Sequence, residues 1–132
     1  MGAWGVKTFE NDDALDWVSE LEQAEDHSLI EETLKVVTER GDEYLEAPEA
    51  CMALAAAEVV AALNKASSPD LPEEVKQWIS QHRLGNLRLT PLALKAVQRI
   101  KTNSELKELW DESDSAAEWQ EVIRSLETRL KQ

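Results

Sequence analysis

With 132 residues, 42% of them hydrophobic, the chain is the size of one domain and can bury a core without disulfide or metal staples. Its formal net charge of −13 repels phosphates, which argues against binding nucleic acid or an anionic membrane face and makes a basic protein the natural partner. The single cysteine, Cys51, excludes an intramolecular disulfide.

Residues 1–10 read as an irregular arm, with Trp4, Val6 and Phe9 too apolar to leave in water. Asn11 is a good N-cap, with Asp12 and Asp13 in a first turn where the helix dipole favours negative charge. Ala14, Trp17, Val18, Leu21 and Ala24 then recur at helical spacing and predict a first helix over 12–25. Ser28 and Glu31 have the spacing of a capping box for a second helix, with Ile30, Leu34 and Val37 inward and Gly41 as its stop. Pro48 suits the first turn of a third helix over about 48–65. That helix is apolar nearly all round, so it is expected at the centre with its neighbours close against its alanines.

Ser67-Ser68-Pro69 ends the third helix, and Pro72 starts a fourth with Val75, Trp78 and Ile79 on its apolar face. Gly85-Asn86 reads as a turn. Thr90-Pro91 reads as a cap with proline at the first helical position of a fifth helix, which points Leu94, Val97 and Ile100 inward. A short sixth helix starts at Asn103 or Ser104 and carries Leu106, Leu109 and Trp110. After Ser113-Asp114-Ser115, a seventh aligns Trp119, Val122, Ile123, Leu126 and Leu130. No segment alternates as a strand does. The expected fold is all-α: one domain over 1–132, a compact bundle of about six to seven helices around the Ala-rich one.

The acids are unevenly placed: residues 1–66 hold 16 acids and 4 bases, and residues 67–132 hold 11 and 10. Between Val75 and Ser104 lie six bases and no acid. Two readings are open: this basic segment packs beside the acidic half, or it forms a separate anion site. No secretory leader is evident, and Val6 stands where a myristoylation signal wants Ser or Thr. The longest apolar stretch, Ala50–Leu63, is interrupted by Glu58 and too short to span a bilayer. The expected location is the cytoplasm.

Chemical signatures are sparse. There is no Walker loop, GxGxxG, GxSxG, HExxH or paired CxxC. His27 and His82 each stand alone near a helix end and read as surface imidazoles. With Cys51 they are the only soft metal ligands, too few for a zinc site. Cys51 lies in an apolar run and reads as a buried structural thiol. Asp12, Asp16 and Glu20 fall on one helix face and are weak Mg²⁺ or Ca²⁺ candidates, because they need further oxygens from a second helix. Acids spaced by three, such as Glu22/Glu25 and Glu43/Glu46, read as solvated faces. Glu58 is the more pointed residue. A lone acid on an apolar helix needs a hydrogen-bond or ion partner, such as an arginine or a Trp indole, or it serves as a functional acid. No cofactor is expected.

The opening MGAWGVKTFENDDALDW resembles a bacterial family catalogued as domain of unknown function 4259, on Met1, Gly2, Ala3, Trp4, Gly5, Phe9, Asn11, Asp12, Ala14, Asp16 and Trp17. Tyr44–Pro48, Ala55–Ala62, Leu106–Trp110 and Trp119 extend the resemblance nearly end to end. Val6-Lys7-Thr8 departs from it, lacking a glycine before Phe9. The resemblance implies a stand-alone small bacterial protein and no particular reaction. It sharpens one cluster, Trp4, Gly5, Phe9, Asn11, Asp12, Asp16 and Trp17, which reads either as a staple holding the arm or as an interaction site where arm meets helix. Charge and missing motifs favour a non-enzymatic interaction or regulatory module, of an immunity-like kind, for a basic partner. The alternative is a Mg²⁺-dependent hydrolase that uses its carboxylates on a nucleotide or phosphate compound.

Overall fold

The computed structural model describes residues 5–82 and 88–132. They form α1 (Asp12–Gln23), α2 (Ser28–Thr38), α3 (Ala47–Leu63), α4 (Glu73–Gln81), α5 (Leu89–Thr102), α6 (Glu105–Asp111) and α7 (Ala116–Leu130). No strand or sheet occurs among the described residues, so the all-α bundle is the architecture, with seven helices.

The bundle is organised by α3, which packs against each of the other six helices. Eight of its 17 residues are alanine, the best helix former, and Pro48 sits in the first turn where its missing N–H has no partner to lose. Only Pro48, Glu49 and Met52 of α3 escape full burial. A methyl side chain keeps the interaxial distance short, so neighbours can surround this helix. Around it, α2 and α5 pack on each other, α1 holds α4, and α6 and α7 pack together and against α5.

The end of α3 carries strain. Lys65 takes a left-handed φ of 68°, which lets the Ala66 N–H reach the Ala61 carbonyl at 2.8 Å and the Lys65 N–H reach that of Ala62 at 3.0 Å. This pattern closes a helix by satisfying its last carbonyls, and glycine usually holds the left-handed position. Lys65→Gly is therefore expected to raise stability by about 1 kcal/mol in urea denaturation, since a side chain in that region costs about that much.

Several boundaries differ from the sequence expectation. Helix α1 stops at Gln23, two residues early, and α3 spans Ala47–Leu63 rather than 48–65. Ser28 is not the N-cap of α2, so the Ser28/Glu31 capping box does not form. The Asp26 carboxylate instead accepts from the Ser28 N–H at 2.9 Å and its hydroxyl at 2.6 Å, and Glu31 pairs with Lys35. Helix α2 ends at Thr38, and Gly41 adopts a left-handed φ of 63° inside the following linker. Helix α5 begins at Leu89, ahead of Thr90-Pro91, and buries Ala93 and Ala96 in place of Leu94, which is half-buried. The Thr90 hydroxyl accepts from the Asn64 side chain at 2.8 Å instead of capping. The expected Gly85-Asn86 turn lies outside the described residues.

Two connections are tied down by polar contacts. The Arg99 guanidinium donates to the Gly41 and Glu43 carbonyls, each at 2.6 Å, and so holds the α2–α3 linker. The Glu105 N–H donates to the Leu45 carbonyl at 2.9 Å, and its carboxylate accepts from the Ala47 N–H at 2.7 Å. Ser104 caps α6 by accepting from the Lys107 N–H at 3.1 Å. Among the described residues, no helix is long and apolar enough to cross a membrane.

Candidate functional site

The arm meets α1 through Asn11. Its side-chain oxygen accepts from the Ala14 N–H at 2.8 Å, and its amide donates to the Thr8 carbonyl at 3.1 Å, so one residue caps the helix and anchors the arm. Phe9 and Thr8 are buried, and Phe9 joins the core. A turn over 7–10, closed by the Glu10 N–H on the Lys7 carbonyl at 3.0 Å, folds the Glu10 carboxylate back onto the Lys7 N–H. A Cβ at Gly5 would run into that carboxylate. Trp17 is 1% exposed, and its indole N–H donates to the Thr33 hydroxyl at 2.8 Å, locking α1 to α2. Trp4 lies outside the described residues. Asp12, Asp16 and Glu20 are all exposed on α1. Among the described residues, no three His, Cys, Asp or Glu side chains gather as a metal site requires.

Glu58 is buried on α3 and held from two directions. Arg129 of α7 grips it with both terminal nitrogens, at 2.6 and 3.0 Å, and the Thr8 hydroxyl donates to it at 3.3 Å. The Arg129 Nε donates to the Ser125 hydroxyl at 3.2 Å. A two-pronged guanidinium–carboxylate pair of this kind offsets the desolvation of both charges.

Above this pair opens a groove of about 640 Å³. The arm forms one wall, with Lys7, Phe9 and Glu10. The α3–α4 linker forms a second, with Pro69, Asp70 and Pro72. Glu121 and Val122 of α7 line a third. Among the described residues its two bases face four acids, so this lining is net negative, and both bases already have partners: Arg129 on Glu58, and Lys7 on Asp70 at 3.1 Å. Of these groove residues only Phe9 and Glu58 were candidates from sequence. Arg129 carried a faint signal, as a base set among the buried Leu126 and Leu130 of the last helix.

The histidines do not stand alone. The His82 ring stacks on Trp78 with centroids 4.2 Å apart, and His27 lies tilted at 5.7 Å from the same indole. Carbonyl oxygens only accept, so His82 Nδ1 donates to Trp78 and His27 Nε2 donates to His82, at 2.8 and 3.1 Å. The Trp78 indole donates to the Ala24 carbonyl at 3.0 Å, which pins the α1–α2 turn to α4. Nearby, the bonds from the Ser28 hydroxyl and N–H hold the Asp26 carboxyl below its ordinary range.

Cys51 is buried, as its apolar setting suggested, and burial pushes its thiol from 9.0 up to about 12. On the surface, donation from Tyr44 to the Glu108 carboxylate at 2.8 Å raises the phenol to about 12. Both groups favour the fold in their neutral form, so what they contribute is complete below their unfolded values and lost as pH rises towards 12. The expected result is a urea midpoint that falls on alkalinisation above about pH 9, with Cys51 inert to thiol reagents at neutral pH until the chain unfolds.

Fold and groove together define the class: an all-helical bundle with a net-negative groove between an N-terminal arm and the last helix. Residues 2–122 match the model of the family described as Domain of unknown function (DUF4259), and the chain belongs to that family. No curated protein and no solved structure matches it.

Proposed function

We propose that the protein is a non-enzymatic interaction module whose groove receives a basic, partly apolar segment of a partner protein. The observation that carries this reading is the groove's lining, in which, among the described residues, four acids face two bases: Glu58 and Asp70 hold those bases, Glu121 pairs with Arg124 at the rim, and Glu10 adds a further carboxylate. A lysine or arginine side chain suits such a wall: its aliphatic stem packs on Phe9, Val122 and the prolines while its charged end reaches Glu10, Asp70 or Glu121. The overall charge of −13 steers a basic partner toward the molecule and speeds encounter at low salt. Masking a basic surface is the work of an immunity-like or regulatory protein. The hydrolase alternative has no assembled carboxylate set behind it among the described residues.

The test is an NMR titration of the full chain with a short synthetic peptide rich in lysine and leucine. Saturable shifts are expected at Lys7–Glu10, Asp70 and Glu121. Glu121→Lys combined with Asp70→Asn is expected to weaken binding by about tenfold, as loss of charge complementarity at a rim does. Asp42→Lys, in the α2–α3 linker and outside the groove, should leave it unchanged. Shifts confined to other surfaces, or affinity indifferent to the groove variants, would overturn the reading.

A further inference from the structure

We infer that a second cleft, between the C-terminal end of α5, α6 and α7, is a binding site for a small aryl oxyanion: a phosphate or carboxylate carried on a planar apolar body. The cleft measures about 240 Å³, room for a small ligand and not for a peptide. Three helices each contribute a basic residue to its lining: Lys101 from α5, Lys107 from α6 and Arg124 from α7. Among the described residues, the one acid in its lining is Glu127. In a chain with 27 acids and 14 bases, three bases against one acid reverse the local balance. Trp119 and Ile123, 3% and 2% exposed, form its apolar floor.

The present partners of these cations leave room for a ligand. Lys101 is bonded to Glu127 at 3.0 Å inside the cleft. Lys107 and Arg124 instead pair outward, with Asp111 and Glu121, neither of which lines the cleft. Glu121 is 65% exposed and Asp111 37%, and solvent-exposed pairs contribute little to stability, so both cations can turn to an incoming oxyanion at small cost. A guanidinium and two ammonium groups supply charge-assisted donors for the oxyanion, while the aliphatic stems of Lys101, Lys107 and Arg124, with the narrow strip that Trp119 and Ile123 show, border the aromatic body. The chain's overall negative charge opposes anions at long range, which makes the affinity modest and steeply salt-dependent. The acid-free segment between Val75 and Ser104 thus contributes Lys101 to an anion site, while its Arg99 serves the α2–α3 linker.

The experiment is an NMR titration of the full chain at low ionic strength with phenyl phosphate, benzoate and inorganic phosphate in separate arms. Saturable shifts are expected at the Trp119 indole and Ile123 methyl groups, with a Kd on the order of 0.1–1 mM for the better aryl ligand. Whichever of phenyl phosphate and benzoate binds more tightly names the oxyanion. Lys107→Gln with Arg124→Gln, one half-buried and one exposed, should weaken binding by about tenfold or more with the fold intact. The proposal fails if neither aryl ligand saturates, if the double variant binds as well as the parent, or if inorganic phosphate binds as tightly as phenyl phosphate. The two titrations are read on different residues, but the sites share the Glu121–Arg124 pair, so to separate them Asp70→Asn alone is used for the groove and Lys107→Gln alone for the cleft, and either result then stands without the other.

Discussion

Arg129→Ala is expected to lower stability by about 3–5 kcal/mol, because it leaves a carboxylate buried on α3 without its counter-charge. The Glu58 side chain is 3% exposed and that of Arg129 15%, so the pair is held out of bulk water, and truncating Arg129 leaves Glu58 only what water the groove admits in place of a counter-charge. Thr8 alone, at 3.3 Å, is too weak to compensate. Glu58→Ala strands the guanidinium instead, but Arg129 keeps Ser125 and a better path to solvent, so its loss should be the smaller of the two. Replacing both, as Glu58→Leu with Arg129→Met, should recover most of the stability, because the pair is then exchanged for apolar packing of similar volume. Urea denaturation of the four proteins compares the cost of stranding either charge with that of exchanging the pair for apolar side chains. Single variants that cost under about 1 kcal/mol would mean that the pair behaves as an exposed one.

Trp17→Ala is expected to cost a further about 3–5 kcal/mol, the range for emptying a fully buried aromatic site. In a chain of this length that corresponds to a fall in Tm of about 11–18 °C. Trp17→Phe retains most of the packing and loses the bond to Thr33, whose hydroxyl still donates to the Leu29 carbonyl at 2.7 Å, so about 1–2 kcal/mol is expected. Calorimetry on both variants separates packing from hydrogen bonding. The same pair bears on the cluster singled out from sequence: Trp17 faces the α1–α2 interior and does not line the groove. Groove binding measured on folded Trp17→Phe should therefore match the parent.

Much of the helical layout was legible because burial leaves a period in the sequence. Helix α3 showed itself by lacking one: apolar on every side, it had to be enclosed. Asn11 announced α1 through its side-chain chemistry, and Glu58 stood out as a charge where none belongs. Failures came where two local signals compete. Ser28 fits a capping box with Glu31, yet Asp26 is two residues upstream and its carboxylate takes the Ser28 N–H first. In α5, Leu92, Ala93 and Leu94 leave the helix face ambiguous, and packing against α2 and α3 buries the alanine. The groove was illegible for a different reason. It is assembled from an irregular arm, a linker and one flank of α7, none of which has a periodic signature, and Arg129 lies 71 positions from the acid it neutralises. The pairing of His27 and His82 around Trp78 was hidden in the same way, since 55 residues separate the rings.

Because α3 touches every other helix, it leaves little room for partial unfolding. A bundle whose neighbours are joined in sequence can fray at one end and keep the rest; here, removing the shaft exposes the inner face of all six outer helices together. Amide protons of Ala53–Val60 should then exchange with solvent only through global opening, at the slowest rates in the molecule, and the inner turns of α2 and α5 should share that rate. The arm and the rim of the groove open on their own and exchange earlier. Cooperativity is thus concentrated in one helix of small side chains, and the surfaces around it are left free to change without disturbing the fold.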